Sequence, residues 1–280
     1  MLKVAVPNKG ALSEAAAQML AEAGYRQRRS SKDLVTIDAE NEVEFFYLRP
    51  RDIAIYVGEG TLDVGITGRD LLLDSHASAR EALSLGFGAS TFRFAAPRGT
   101  MTSESDLAGQ RIATSYAGIV EDHLAGLGIE ASVVRLDGAV ESSVRLGVAD
   151  AIADVVETGS TLRQADLEVF GDPILSSEAV LITRDGDEPA GYDVLKRRID
   201  SVLVARTYVM MDYDIRVENV EEAVRLTPGI ESPTVSPLHR EGWVAVRSMV
   251  PRDAAQKIMD GLYGLGARGI LVTDILACRV

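Results

Sequence analysis

Residues 153–162 read ADVVETGSTL, an apolar run that carries one acid and ends in a second acid, a glycine and three hydroxyl residues. A buried strand that ends in this way presents consecutive backbone N–H groups, and Gly159 permits a close approach and a positive φ. A helix that begins near Leu162 would add its N-terminal partial positive charge at the same place. The pattern favours a phosphate-binding turn made of Glu157, Thr158, Gly159, Ser160 and Thr161.

Asp154 indicates what else such a ligand would carry. A carboxylate repels phosphate, but it can accept hydrogen bonds from both vicinal hydroxyls of a ribose. The acid and the turn together therefore point to a sugar phosphate. The ordinary alternative stays open, because any strand-to-helix turn contains small polar residues, and Thr158 or Ser160 could simply cap the helix.

Composition limits the classes of function. The 280-residue chain has 29 Lys and Arg against 42 Asp and Glu, a net charge of −13, so neither nucleic acid nor an anionic membrane is an expected partner. A single cysteine, Cys278, and a start without a signal-peptide pattern predict a cytoplasmic protein. Three dispersed histidines make a His/Cys metal site unexpected. No apolar run approaches the roughly 18 residues of a membrane span.

Strands and helices alternate along most of the chain, which predicts an α/β protein. The first series has predicted strands at residues 2–6, 34–38, 43–48 and 62–66, with helices after residues 8–10, at Pro50 and near residues 71–73. The second has predicted strands at residues 92–96, 111–114, 132–136, 151–156 and 165–170, with helices near 119–127 and 140–147. A strand at 179–183, a polar loop at 185–191 and a helix at 192–205 follow.

The last part of the chain changes to a βαββαβ order, which is typical of a ferredoxin-like module. Its predicted strands lie at residues 208–215, 234–238, 243–250 and 270–277, and its predicted helices at 220–226 and 251–265. The chain is thus expected to form two α/β lobes and a small C-terminal module. Ligands of two-lobed α/β proteins commonly lie between the lobes, beyond the carboxyl ends of strands.

The turn at residues 154–161 resembles the phosphoribosyl-diphosphate (PRPP) loop of phosphoribosyltransferases, with Val155 where the larger type of those enzymes has a second acid. Further segments resemble ATP phosphoribosyltransferase of the long form, the first enzyme of histidine biosynthesis. They are VPNKG at 6–10, LRPRDIAIY at 48–56, GITGRD at 65–70, and residues 136–161 with DGAVE at 137–141. The likeness extends through the C-terminal module.

The resemblance implies a fold. Two lobes would be built like those of type II periplasmic binding proteins, with residues 1–91 as lobe I, completed by residues 179–206, and residues 92–178 as lobe II. Residues 207–280 would form an ACT-like regulatory domain. Self-association as a homodimer or homohexamer is implied as well.

The resemblance also implies a reaction. N1 of the adenine of ATP attacks the anomeric carbon of PRPP, and phosphoribosyl-ATP and diphosphate result, with Mg²⁺ carried on the diphosphate. Lys9, Arg49 and Arg51 stand at turns and are expected to neutralise the phosphates. A solvated loop is the ordinary alternative for the two arginines. Arg69 could bind phosphate too, or pair with Asp70, or lie on the surface.

The other expected contacts with ATP and PRPP are spread over the same motifs: Gly10, Thr67, Asp70, Tyr116 and Glu141. Asp70 and Glu141 would reach ribose hydroxyls or waters on the metal. Tyr116 would stack on adenine, although a lone tyrosine after a strand is more often a packing residue.

The C-terminal module matches the family's pocket for the feedback inhibitor L-histidine at Asp214, Ser232 and Thr234. An acid suits an α-amino group or an imidazolium, and hydroxyls suit a carboxylate. Ordinary turn and loop chemistry is the alternative for all three residues.

Two other classes of protein would share parts of this pattern. A flytrap-type small-molecule binding module would have both lobes, but it would normally be secreted and would not need a PRPP loop. A catalytically inactive regulatory paralogue would keep the lobes but would be expected to have a degraded loop. The loop at residues 154–161 is intact.

Overall fold

The computed structural model describes residues 1–28, 30, 32–156, 159–186 and 188–280. Its strands are β1 Leu2–Pro7, β2 Val35–Asp38, β3 Val43–Leu48, β4 Val64–Gly68, β5 Ala79–Ser84, β6 Ser90–Pro97, β7 Arg111–Thr114, β8 Ser132–Arg135, β9 Ala151–Val156, β10 Leu167–Ser177, β11 Ala179–Arg184, β12 Tyr208–Arg216, β13 Thr234–Pro237, β14 Trp243–Pro251 and β15 Arg268–Asp274. Its helices are α1 Ala11–Glu22, α2 Pro50–Gly58, α3 Arg69–Ser75, α4 Ala117–Leu127, α5 Ser142–Arg145, α6 Ser160–Gln164, α7 Tyr192–Thr207, α8 Val220–Leu226 and α9 Ala255–Gly264. None of the described helices has the length and apolar character needed to cross a membrane.

The chain forms two compact units. The first consists of Met1–Gln18 and Tyr25–Asp193, and the second of Met19–Gly24 and Val194–Val280. Within the second unit, Arg206 Nε of α7 donates to Glu22 Oε2 at the end of α1 over 2.8 Å. The units therefore divide inside α7, whereas the three domain ranges expected above remain predictions.

Lobe I is built on a six-stranded sheet with the order β2-β3-β1-β4-β11-β5. Its centre is parallel, since β1 pairs in parallel with both β3 and β4. Four successive residues of β1, from Val4 to Pro7, are buried, as expected for a strand covered on both faces. The chain returns from lobe II to insert β11 antiparallel between β4 and β5. This crossing confirms the two-lobed fold of periplasmic-binding-protein type.

Lobe II has a five-stranded sheet with the order β10-β6-β9-β7-β8. Side chains alternate along β9, so Ala151 and Ala153 join an aromatic core with Phe92 and Phe94. Ile152 points the other way and packs into a second core that contains Leu162 of α6. The sheet thus holds β9 by both faces and fixes where its carboxyl end, with Asp154, emerges.

The C-terminal module is an antiparallel sheet with the order β13-β14-β12-β15, the strand order of a ferredoxin-like fold. Burial alternates along β12, where Val209, Met211, Tyr213 and Ile215 face a core that includes residues of α8 and α9. The fold class predicted from the sequence is therefore confirmed, including the βαββαβ module.

Several element boundaries differ from the predicted ones. The helix expected at 140–147 is only the single turn α5, because Ser143 donates its hydroxyl to the carbonyl of Val140 over 2.6 Å and Gly147 adopts φ 71°. The expected helix 251–265 begins at Ala255, since Pro251 ends β14. Strand β5 was not predicted, because its sequence AREALS lacks a clear apolar alternation.

Candidate active site

Two cations stand at one edge of the lobe I sheet. The parallel strands β1 and β3 end together, with Pro7 opposite Leu48, and the amide of Asn8 donates to the carbonyl of Leu48 over 2.8 Å. Lys9 and Arg49 follow directly, and both are exposed. Gly10 supplies the φ of 77° with which the chain turns into α1. The pairing of β1 with β3 thus brings Lys9 and Arg49 to the same edge of the sheet.

Two contacts fix the partly exposed side chain of Arg51. Its Nη1 lies 2.7 Å from Asp74 Oδ2, and its guanidinium carbon lies 4.7 Å from the ring centroid of Tyr116. A guanidinium has five N–H donors, so this ion pair leaves others for a phosphate oxygen. Thr67 is fully buried and donates its hydroxyl to the carbonyl of Pro50 over 2.8 Å. In this conformation Thr67 braces the turn that carries the two arginines.

Asp70 is buried, and the partly buried Tyr116 of lobe II lies near it. Ser177 Oγ donates to Asp70 Oδ1 over 2.9 Å and accepts from the amide of Asp70. Burial raises the pKa of the Tyr116 phenol above its ordinary value, and the neighbouring Asp70 carboxylate, which accepts a hydrogen bond from it, acts in the same direction. The Tyr116 ring also packs edge-on against Phe92, with 5.2 Å between centroids. The ring thus packs against Phe92 in this structure, and its stacking on adenine stays a prediction.

Asp154 is half-buried at the end of β9. Burial is the largest cause that raises its pKa, and the negative charges of Glu141 and Asp70 raise it further. A hydrogen bond of 2.8 Å from the amide of Val155 to Asp154 Oδ1 opposes this shift. Three carboxylates from two lobes therefore surround one small region.

A cavity of about 260 Å³ adjoins Asp154. Gly159 adopts φ 67° and precedes α6, so Ser160 and Thr161 lie in the first turn of that helix. Glu157 and Thr158, which were expected to complete the phosphate turn, lie outside the described residues. The cavity is lined by Glu141, Asp154, Val155, Val156, Gly159, Ser160, Thr161 and Leu162.

Two cations were missed by the sequence reasoning. A Cβ built on Gly159 would lie 3.3 Å from Arg163 Nη1, so this guanidinium reaches back over the start of α6. The four-residue spacing on a helix could have revealed it. Arg28 donates from Nη2 to the carbonyl of Asn8 over 3.1 Å and stacks on Tyr47 at 4.4 Å. Arg28 lies in a stretch of several basic residues, and no sequence pattern singled it out as a candidate binding residue.

Arg69 neither pairs with Asp70 nor lies free on the surface. Its Nε lies 2.8 Å from Glu81 Oε2 and its Nη2 lies 3.1 Å from Glu178 Oε1, and the side chain is only 23% exposed. Glu81 lies on β5 and Glu178 lies between β10 and β11, so Arg69 joins these segments and does not pair with Asp70. The hydrogen bond to Glu81 is the largest cause that raises its pKa.

Within the described ranges, no three His, Cys, Asp or Glu side chains are grouped in a way that could hold a metal ion. The carboxylates of Glu141 and Asp70 are close enough to Asp154 to raise its pKa. Such a set fits contacts with the waters of a hydrated Mg²⁺ that is carried by a substrate, since Mg²⁺ usually keeps several waters.

The predicted regulatory residues lie on the C-terminal sheet. Asp214 is half-buried on β12, on the face opposite the core, whereas Ser232 and Thr234 are exposed just before and at the start of β13. Thr234 lies opposite Arg247, whose Nε is 2.7 Å from Asp212 Oδ1. The alternation of β12 and the pairing place Thr234, Arg247, Asp212 and Asp214 on one face of this sheet.

Two α/β lobes, with a cavity beside Asp154 on lobe II, and a ferredoxin-like module that follows them fit a glycosyltransferase. Residues 49–203 match the family model described as ATP phosphoribosyltransferase, and residues 205–277 match the model described as HisG, C-terminal domain. The chain belongs to the ATP phosphoribosyltransferase family.

Curated relatives match over their whole length. The chain is 67% identical to "ATP phosphoribosyltransferase" of Pseudarthrobacter chlorophenolicus and 66% identical to the protein of that name from Streptomyces avermitilis, with 100% of both chains covered in each comparison. Among solved structures, the "ATP phosphoribosyl transferase (HisG:HisZ) complex from Thermotoga maritima" is 27% identical with a TM-score of 0.60. That match covers 71% of this chain and 99% of the other.

Proposed function

We propose that this protein transfers the 5-phosphoribosyl group of PRPP to N1 of the adenine of ATP, which gives phosphoribosyl-ATP and diphosphate. This is the first step of histidine biosynthesis. The observation that carries the proposal is the full-length identity of 63–67% to relatives named ATP phosphoribosyltransferase. The cavity of about 260 Å³ beside Asp154 supports the proposal, because it offers space for a ligand next to that carboxylate.

The proposed roles differ between the lobes: residues of lobe II bind PRPP, and residues of lobe I neutralise the diphosphate. On lobe II, the Asp154 carboxylate accepts hydrogen bonds from the ribose hydroxyls, and the first turn of α6 with Arg163 binds the 5′-phosphate. On lobe I, Lys9, Arg49 and Arg51 neutralise the charge that develops on the departing diphosphate. Mg²⁺ bound to the diphosphate supplies further neutralisation. Adenine N1 already has a free lone pair, so no strong general base is required.

The proposal is tested by mixing the protein with ATP, PRPP and Mg²⁺ and following the ultraviolet absorbance of the N1-substituted adenine. Pyrophosphatase should increase the yield, since it removes a product. A flytrap-type binding module or an inactive paralogue would bind ligand without any absorbance change. That result, with a folded protein, would contradict the proposed transfer.

The C-terminal sheet supports a second proposal, that free L-histidine inhibits through Asp214, Ser232 and Thr234. Asp214→Asn is expected to weaken inhibition about tenfold or more, since a lost hydrogen bond to a charged group is worth about 1.5–3 kcal/mol. Asp260→Asn is the matched control, because Asp260 is exposed on α9, on the other side of the sheet. Equal histidine sensitivity of both variants and the parent would place the inhibitor elsewhere.

The family resemblance supports self-association as a homodimer or homohexamer. Light scattering with and without L-histidine measures it directly. A monomer under both conditions would contradict this part of the proposal.

A further inference from the structure

Asp74 stands at the point where the two lobes meet. It lies in α3 of lobe I, and its side chain is only 8% exposed. Its Oδ2 accepts a hydrogen bond from Arg51 Nη1 over 2.7 Å. Its Oδ1 accepts hydrogen bonds from the amides of Gly118 over 2.9 Å and Ile119 over 3.4 Å, both in the first turn of α4 in lobe II. One carboxylate thus joins a cation of lobe I to a helix of lobe II.

Helix α4 depends on this contact for its first turn. The amides of the first turn have no partner within a helix and are usually satisfied by the side chain at the N-cap. The N-cap of α4 is Tyr116, which makes no such hydrogen bond. Asp74 supplies both the acceptor and a negative charge that favours the helix N-terminus. The cap of α4 therefore comes from the other lobe.

The fit between the lobes is closest at Gly118. A Cβ built on Gly118 would lie 2.7 Å from the backbone oxygen of Asp74 and 3.0 Å from His76 Cε1. The backbone oxygen cannot move aside without shifting α3, so only glycine permits this approach. An ion pair between the lobes, from His76 to Asp122 at 2.7 Å, is 57% and 69% exposed and contributes little.

We propose that Asp74 is a positioning residue that sets the relative placement of the two lobes for phosphoribosyl transfer. It holds Arg51, a phosphate-binding cation of lobe I, against the start of α4, while PRPP is bound by β9 and α6 of the same lobe II. Loss of the contact leaves the PRPP-binding residues of lobe II intact but misplaces Arg51 relative to them. This inference rests on the proposed function.

Two substitutions test the contact from opposite sides. Asp74→Asn keeps an acceptor for the α4 amides but removes the charge that holds Arg51. Gly118→Ala leaves Arg51 and Asp74 chemically unchanged but forces α3 and α4 apart. Both are expected to lower kcat about tenfold to a hundredfold, the scale of a lost hydrogen bond to a charged group. The affinity for PRPP alone should change less than about threefold, because lobe II binds it.

Matched controls separate positioning from general damage. Gly126→Ala is the same substitution in α4, but a Cβ there meets nothing within 4 Å. Asp122→Asn removes an acid from the exposed inter-lobe pair. Both controls should keep kcat within about twofold, as exposed ion pairs and open helical sites do. The kcat of the double variant of Asp74→Asn and Gly118→Ala should fall by less than the product of the two single losses. The reason is that both substitutions interrupt the same connection, from Arg51 through Asp74 to α4.

A measurement without turnover keeps the inference separate from the proposed function. Hydrogen exchange at the amides of Gly118 and Ile119 should be slow in the parent and faster in Asp74→Ala, whether or not the protein transfers phosphoribosyl groups. If the parent transfers no phosphoribosyl group but shows this protection, the proposed function fails alone. Unprotected amides in the parent, or a Gly118→Ala enzyme as fast as Gly126→Ala, would overturn the role of Asp74.

Discussion

At the residue scale, Asp154 is a carboxyl group whose ionised form is disfavoured by its surroundings in the folded protein. Its carboxyl is half-buried, and its raised pKa has burial as the main cause, with Glu141 and Asp70 adding to it. Asp150, four residues earlier, is the opposite case, since hydrogen bonds from Arg111 lower its pKa to about 2. Asp150 directly precedes β9 and Asp154 lies within it. Ionisation of these two carboxyls has opposite effects on the stability of the fold.

These shifts predict opposite changes in stability at pH 7. A raised pKa in the folded state gives stability that is present below the ordinary aspartate pKa and is lost as pH rises through the raised value. Ionised Asp154 therefore costs stability at pH 7, and Asp154→Asn should raise the Tm while activity falls. A lowered pKa gives stability that is present above the ordinary value and lost as pH falls toward about 2, so Asp150→Asn should lower the Tm.

Thermal melts of the two variants at pH 7 check this prediction. If Asp154→Asn melts below the parent, the carboxylate is better stabilised by the fold than its surroundings indicate. If Asp150→Asn melts at the same temperature as the parent, the exposed pair with Arg111 contributes nothing measurable.

At the scale of elements, α6 begins directly after a glycine in the left-handed backbone conformation. Gly159 has φ 67°, in the left-handed region, where a residue with a Cβ costs about 1–2 kcal/mol. Gly128 has nearly the same φ, 68°, at the end of α4, and a Cβ there meets nothing within 4 Å. The two glycines have similar backbone requirements but different surroundings.

Gly159→Ala and Gly128→Ala are therefore expected to lower the Tm by similar amounts, whereas only Gly159→Ala should weaken PRPP binding. The reason is that a Cβ at Gly159 meets the Arg163 guanidinium at 3.3 Å and disturbs the turn beside the cavity. Melting curves and calorimetric titration with PRPP measure the two effects. Equal loss of PRPP affinity in both variants would show that strain, and not the local turn, controls binding.

Elements with strong local patterns could be predicted from the sequence. The buried strand β1, the alternating strand β14 and the βαββαβ order follow from apolar spacing, and Pro50 correctly indicated the start of α2. Strand β5 could not be found, because it depends on pairing with β11, about 100 residues later in the chain. Propensity within a short segment carries no information about such a partner.

At the scale of the whole molecule, the candidate site is assembled from contacts between residues distant in sequence. The candidate cations and the acid could be named from turns and motifs, but the partners of Arg69 and Arg51 could not. Glu178 lies 109 residues from Arg69, and Asp74 lies 44 residues from Gly118, so neither contact has a local signature. The sequence analysis therefore predicted a binding turn at residues 154–161, which stays a prediction, and it missed the contacts between the lobes.

The account depends on Asp154 and its turn binding the activated sugar. Isothermal titration of the parent and of Asp154→Ala with PRPP and Mg²⁺ tests this directly. The parent should bind, and the variant should lose about 1–3 kcal/mol of binding free energy, the scale of hydrogen bonds to a charged group. Unchanged affinity in a folded Asp154→Ala protein would contradict the account.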